Sequence, residues 1–428
     1  MQLSVKNPPE LSIGLPVFNG DNFLEDALDS ILKQDFGDFE LIISDNASTD
    51  RTDSICRAYV EKDSRIRYFR NHENIGAAGN WNRVFELSSG EFFKWIAHDD
   101  LHEPKFVSRC LEVLKREPSV VLAFTRAITV NARGKFIREW GTHKEICSPD
   151  VCTRYWRALA AAEDPLPLPI FGVMRADVLR QTRLFMGYPE ADVALLAEIS
   201  LYGSFSEVNV PLFVQREHDR RAGPKLARDH YQAASFWNPR EDQRLRFPHW
   251  SLLAGHITGL RAAPLCWRER ISCFLIISDW AKQHFGQLAN DFVVAGTRLP
   301  GLGRVLENIA RKVHATTWKL RINRAARDLK SLIPSSAIYI LLDDGAFGAG
   351  MAADRNVRPF LEDTGPPLDD QTAVSELERM RREGAEFLAF GWPCFWWLTY
   401  YRGFVKHLDR NFVRVLENDR LVVFDLRS

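Results

Sequence analysis

The chain has 428 residues, enough for two or three domains, and its 46% hydrophobic content can bury sizeable cores. Its 56 Lys and Arg balance 56 Asp and Glu, so no overall field points to nucleic acid. Seven scattered cysteines with no close CxxC pair argue against a disulfide framework or a zinc site. A reducing cytoplasm fits best. The N-terminal stretch lacks the apolar core of a signal peptide. No apolar run reaches the roughly eighteen residues that suggest a membrane span.

Leu11 to Val17 reads as a buried strand, and the turn residues Asn19-Gly20-Asp21-Asn22 follow. Asn22 with Glu25 predicts a capping box for a helix that buries Leu24, Ala27, Leu28, Ile31 and Leu32. A second strand, Phe39 to Ser44, ends at Asp45-Asn46, and Ser48 or Thr49 is placed to cap the next helix. A third strand from Ile66 leads through Asn74-Ile75-Gly76 into a helix through Trp81, Val84 and Phe85. The fourth starts near Phe92 and runs into His98-Asp99-Asp100. Helix 104–116 and strand 120–124 come next. Strands thus begin near 11, 39, 66, 91 and 120 with helical patterns between, the rhythm of a parallel, helix-covered sheet.

In such sheets ligands bind beyond the carboxyl ends of the strands. The polar residues at those ends are Asn19, Asp45, Asn74, Asp99 and Asp100. Adjacent carboxylates repel unless a cation or hydrogen-bond donors hold them. Hard cations such as Mn²⁺ and Mg²⁺ take carboxylates together with substrate phosphates. A solvated turn is the plainer reading of Asp99-Asp100 alone. Its place among the other strand ends favours a crevice for a base, a ribose and a metal-bound diphosphate.

Several pieces in this order resemble the family 2 glycosyltransferases of the GT-A fold. They are Leu15-Pro16-Val17-Phe18-Asn19-Gly20, Leu32-Lys33-Gln34, the run Ile43 to Asp50, the run Asn74 to Asn80, and Asp99-Asp100. The resemblance covers about residues 10 to 220. It implies a mostly parallel, Rossmann-like α/β sheet and transfer from a nucleotide-diphosphate sugar, with a UDP-sugar the default donor. By the same resemblance Asp45 bonds the base, Pro16 to Phe18 flank it, Asp99 sits near the ribose and Asp100 binds Mn²⁺ or Mg²⁺. Phe18 serves equally well as a plain core residue. His98 stands where many members carry a third Asp and is not counted as a ligand.

Further on, a helix from about Asp192 buries Val193, Leu196, Ile199 and Ser200 and stops at Gly203. The family keeps its general base at the start of such a helix. Asp192 is the match, Glu190 the fallback, and a plain N-cap the structural alternative. Similar enzymes have a His near Arg216-Glu217-His218 that contacts metal or diphosphate, which makes His218 a candidate ligand against the ordinary reading of a surface histidine.

Residues 1–225 are thus expected to form the transferase domain, 226–330 a helical region, and 331–428 a small α/β domain of unknown role. In the helical region, Leu252, Leu253, His256, Ile257 and Leu260 make one face, and Ile271, Phe274, Leu275, Ser278 and Trp280 lie on or near another. Between 301 and 330, eight Lys and Arg face two acids among apolar residues. This segment suits a basic helix packed on its own protein, or a peripheral contact with an anionic membrane at the inner face of the cell membrane. The run Gly345 to Gly350 does not match GxGxxG. Trp392 to Tyr401 is dense in aromatics, which by default fill a core and otherwise pave a sugar-binding surface. The C-terminal part resembles a module found in bacterial glycosyltransferase chains.

The expected acceptor is a glycan or glycoconjugate of a bacterial surface polysaccharide, with inversion at the anomeric carbon. Two rivals stand beside this reading: transfer to a polyprenyl phosphate, and a catalytically silent sugar- or nucleotide-binding module.

Overall fold

In the computed structural model, the described residues are 8–140, 146–159, 168–218, 236–239, 247–297, 322–343, 357–360, 367, 369–395, 397–398, 401–418 and 420–427. The basic stretch 301–321 and the glycine run 345–350 lie outside them. The chain divides into two units, Met1–Gly303 and Arg304–Ser428.

Unit 1 is built on a nine-stranded sheet. Its first four strands in space are β3 (Ile66–Arg70), β2 (Phe39–Asp45), β1 (Leu11–Val17) and β4 (Phe92–Trp95), all parallel. The period-2 pattern explains their two faces. Leu11, Ile13, Leu15 and Val17 of β1 all point to a core under helices α1 (Leu24–Leu32), α2 (Thr52–Lys62) and α4 (Phe106–Arg116). Phe93 and Trp95 point the other way, toward α3 (Gly76–Glu86), α5 (Val151–Leu159) and α7 (Ala191–Ser200). Gly14 lets α3 lie close on β1, because a Cβ there would sit 2.6 Å from the Val84 side chain.

The sheet turns mixed beyond β4. The short β8 (Val173–Arg175) is antiparallel to β4 and to β6 (Val120–Asn131). β9 (Ser204–Glu217) runs parallel to β6, and β5 (Leu101–His102) pairs antiparallel with β9. Where the sequence suggests a strand ending near Phe124, β6 continues to Asn131 and turns into the hairpin strand β7 (Phe136–Glu139). The short α6 (Ala176–Leu179) follows β8.

Three local expectations are corrected. α1 starts after Phe23 with no side-chain cap, and the Gly20 carbonyl accepts the N–H of Phe23 and of Leu24 in place of the Asn22 box. α2 starts at Thr52, with Asp50 Oδ1 accepting the Thr52 N–H, because Ser48 and Thr49 are engaged with Asn19. Gly203 lacks the positive φ of a helix stop. Its small size instead serves close packing, since a Cβ would lie 2.3 Å from Val121.

Three further helices complete the unit: Pro248–Ala262, Trp267–Gln283 and Phe285–Thr297. Gly255 and Gly259 place the first of these against Tyr188, Arg183 and Glu198. In the second, Cys273, Ile277 and Trp280 face the core. Ile271, Phe274 and Leu275 of the expected second face are exposed. That helix shares its buried side with α5, where Cys152 meets Cys273, so the opposite arc is left to solvent.

Unit 2 has its own five-stranded sheet, ordered β11 (Val357–Pro359), β10 (Ile338–Leu342), β12 (Ala385–Gly391), β14 (Leu421–Asp425), β13 (Val413–Glu417). Helices Asp370–Arg382 and Arg402–Asn411 cover one core of it, and Asp369 caps the first by accepting the Thr372 N–H at 2.7 Å. Trp397 and Tyr401 are buried there.

Candidate active site

The carboxyl ends of β1 and β2 are stitched into one rim. Asn19, in the left-handed region at φ 52°, donates its N–H to Ser48 Oγ, and its Oδ1 accepts the Thr49 N–H at 2.8 Å. Gly20 N–H donates to Thr52 Oγ1. Phe18 is 45% exposed beside this turn, while Pro16 pairs with Ser44 in the strand register.

Asp45 ends β2 and is fully buried. Its Oδ1 accepts the Ser48 N–H at 2.9 Å, and its Oδ2 lies 2.9 Å from the Tyr68 hydroxyl and 3.4 Å from Arg70 Nη1. The Tyr68 hydroxyl also lies 2.7 Å from Asp53 Oδ1, and its single proton serves one carboxylate at a time. Arg57 and Tyr68 hold the Asp53 carboxyl down to about 2. Burial and the two carboxylates push the Tyr68 phenol well up.

Next to Asp45 lies a knot of asparagines. Asn46 Nδ2 donates to Asn74 Oδ1 at 2.8 Å, Asn71 donates to Asn46 Oδ1, and Asn80 bonds the hydroxyl and carbonyl of Ser44. Asn74 Oδ1 also takes the Gly76 N–H, which fixes the start of α3.

The acidic pair is not at a strand tip. β4 ends at Trp95, and Asp99-Asp100 occupy the turn before β5. Pairing of Leu101 with Val214 brings the far end of β9 alongside. Asp100 Oδ1 accepts the Arg216 N–H at 2.9 Å, and His218 Nε2 lies 2.9 Å from Asp99 Oδ2. Arg216 reaches Asp26 at 2.9 Å and lies over the Phe23 ring, which also packs on His218. Both carboxylates are largely buried. A Cβ on Gly20 would meet the His98 ring at 2.7 Å, so the β1 turn and the acidic turn form one wall.

Asp192 and Glu190 are positioned separately, by α7. Asp192 lies in its first turn, half-buried, with Oδ1 accepting the Val193 N–H, and burial raises its carboxyl above the usual range. Glu190 is the N-cap at φ 60°. Among the described residues, positive φ without glycine occurs at Asn19, Ala47, Leu184 and Glu190, all in the loops around these two sites. Each costs roughly 1–3 kcal/mol, and such strain concentrates where function demands it.

The structure thus gathers Asn19, Asp45, Asn74, Asp99, Asp100 and His218 at one end of the sheet. Sequence reasoning missed Tyr68, Arg70, Asn46 and Arg216. Arg70 ends β3, a signal that was readable. Among the described residues, no group of three or more His, Cys, Asp or Glu is spaced to hold a metal alone.

Known proteins match this part of the chain. Residues 12–160 fit the family model described as glycosyl transferase family 2. An uncharacterized glycosyltransferase of Rickettsia typhi is 35% identical over 108 residues, 25% of this chain and 33% of that protein. The GalNAc(5)-diNAcBac-PP-undecaprenol beta-1,3-glucosyltransferase of Campylobacter jejuni is 42% identical over 93 residues, 22% of this chain and 30% of that protein. The chain spans about a third of the length of these two relatives. The crystal structure of S. aureus TarS 1-349 in complex with UDP-GlcNAc superposes with a TM-score of 0.48 at 15% identity, covering 69% of this chain and 83% of that one. The likeness to glycosyl transferase family 2 thus rests on residues 12–160.

Proposed function

We propose that the chain transfers a sugar from a nucleoside-diphosphate sugar to a hydroxyl of a glycan or glycoconjugate, with inversion. The observation that carries this is the joining of Asp99, Asp100 and His218 beside the rim formed by Asn19 and Asp45. Carboxylate and imidazole donors suit Mn²⁺, and carboxylates suit Mg²⁺. A partial ligand set suits an ion whose shell is completed by diphosphate oxygens. Asp100 and His218 would hold that ion, with Asp99 beside them near the ribose. Bound there, it would neutralise charge developing on the leaving diphosphate.

The chain's own groups supply the rest. Asn19 and Asn46 shape the rim where the nucleotide lies, with the exposed Phe18 ring beside it. Asp45 reaches the base only if its contact with Tyr68 or Ser48 opens. Asp192 takes the proton of the acceptor hydroxyl as that oxygen attacks the anomeric carbon and the bond to diphosphate breaks. A raised carboxyl is a stronger base than an ordinary one. Titration of the wild type with UDP, GDP and their sugars, with and without Mn²⁺, tests this reading. Metal-dependent nucleotide binding supports it. Absence of any nucleotide binding overturns it.

One observation favours an acceptor carried on a membrane lipid. Trp267, Ile271, Phe274 and Leu275 form one exposed apolar row, with Arg268 and Lys282 also exposed on that helix. Such a row suits the interface of an anionic bilayer. No helix among the described residues is long and apolar enough to cross a membrane. Co-sedimentation with phosphatidylglycerol vesicles, lost in Ile271→Glu/Phe274→Glu, is the corresponding test.

A further inference from the structure

A cavity of about 450 Å³ opens on the outer side of α3, and it shares no lining residue with the acidic crevice. One wall is the ridge of α3 that carries Ile75, Ala78, Asn82, Arg83 and Glu86. The other is made by Phe185, Met186 and Gly187 with Trp237 and Asn238.

The walls are held in place. Asn82 clamps Phe185 at both ends of its amide, with Nδ2 donating to the Phe185 carbonyl at 2.8 Å and Oδ1 accepting the Phe185 N–H at 2.9 Å. The Trp237 ring stacks on Phe185 at 6.0 Å. Two glycines allow the close approach. A Cβ on Gly76 would meet the Trp237 carbonyl at 2.5 Å, and one on Gly187 would meet Asn238 at 2.9 Å.

Within this frame Arg83 stands out. Its Nε is buried without a hydrogen-bond partner, and its guanidinium joins no ion pair among the described residues. Glu86, one turn along the helix, is exposed and leaves Arg83 unpaired. A guanidinium stays charged at any working pH, and its fork matches a carboxylate or a phosphate. An indole beside it offers a flat apolar face of the kind a pyranose ring covers. The loop forming the second wall runs directly into Glu190 and Asp192.

We propose that this cleft is an acceptor subsite for a saccharide bearing a negative charge, with Arg83 holding the anionic group and Trp237 the ring. This rests on the transferase reading above and adds the chemical class of its acceptor. Glu86 would accept from sugar hydroxyls at the outer end.

The test measures binding by the full chain, with UDP and Mn²⁺ present, of three probes. They are a tetrasaccharide of alternating glucuronate and N-acetylglucosamine, N-acetylglucosamine 1-phosphate, and neutral chitotriose. The first two separate a carboxylate source from a phosphate source. We expect one charged probe to bind at least about 10-fold more tightly than chitotriose, the scale of one charge-assisted hydrogen bond. Arg83→Gln should abolish that preference, Arg83→Lys should keep part of it, and Trp237→Ala should weaken all three probes. Nucleotide affinity should not move in any variant. Charged probes that bind no better than chitotriose, or a preference that survives Arg83→Gln, would overturn the proposal. Nucleotide binding that persists without charge-selective saccharide binding sinks this inference alone. Failure of nucleotide binding in the wild type counts against the transferase reading instead.

Discussion

His218 Nε2 lies 2.9 Å from Asp99 Oδ2, across 119 positions of sequence. The contact exists because β5 pairs with β9 and carries the end of β9 to the acidic turn. It joins an imidazole to the pair Asp99-Asp100, and Arg216 N–H fixes Asp100 from the same strand. His218→Ala and Asp100→Asn should each weaken Mn²⁺-dependent UDP binding by about 10-fold or more, on the scale of a lost ligand or ligand support. Both variants should stay folded, since Asn at 100 still accepts from Arg216. Calorimetric titrations that match wild type, with and without Mn²⁺, would remove these residues from the metal site.

The base prediction concerns α7. Asp192→Asn should leave donor affinity unchanged and cut transfer by roughly 10²–10⁴-fold. Burial raises the Asp192 carboxyl above its usual value. A carboxylate base is active only when ionised, so the acid limb of kcat/KM should sit at higher pH than for an ordinary Asp and should vanish in the variant. Should Glu190→Gln prove the damaging change, the strained N-cap is the base and Asp192 supports it.

Much of this was legible in the sequence, for physical reasons. Strands β1, β2 and β4 announced themselves through largely apolar runs, since a parallel strand inside the sheet is buried on both faces, whereas the edge strand β3 is only partly buried. Asp45, Asn74 and Asp99 were singled out because ligands bind beyond such strand ends, although Asp99 proves to lie in the turn before β5. The rest depended on tertiary pairing. No local pattern shows that Arg216 would donate to Asp100, or that Tyr68 would occupy the oxygens of Asp45 and Asp53. Ile271, Phe274 and Leu275, expected on a buried face and found exposed, misled for the same reason. An apolar arc reads as core until the buried arc, here Cys273, Ile277 and Trp280, is seen to lie opposite.

Lys94 is a cost built into β4. Its ammonium is buried, donates to the Phe171 carbonyl and lies 3.9 Å from the centre of the Phe106 ring. Burial lowers it from 10.5 to about 7. The unfolded chain therefore binds more protons than the folded one between about pH 7 and 10.5, so stability rises with pH across that window. Below about 7 the lysine is charged in both states and its penalty is constant. Lys94→Met should flatten this rise, and the gap in Tm between variant and wild type should narrow as pH climbs from 7 to 10. A gap independent of pH would show that the lysine is charged throughout.

The last prediction concerns unit 2. Its sheet closes over two cores of its own, one with Leu377, Phe390 and Phe404, the other with Tyr339, Phe387 and Leu421. Unit 1 likewise holds both of its cores within its own strands and helices. The rim, the acidic pair and α7 all lie before residue 220. A unit with its own core can fold alone, and few contacts need cross its boundary. A fragment ending at Gly303 should therefore be soluble and bind UDP with Mn²⁺ as the full chain does, while transfer to the natural acceptor falls. Trp397 and Tyr401 are buried in the core of unit 2, so a role in acceptor placement would have to use other residues of that unit. A soluble fragment without nucleotide binding would show that unit 2 completes the donor site. Full transfer by the fragment would assign unit 2 to something other than the reaction.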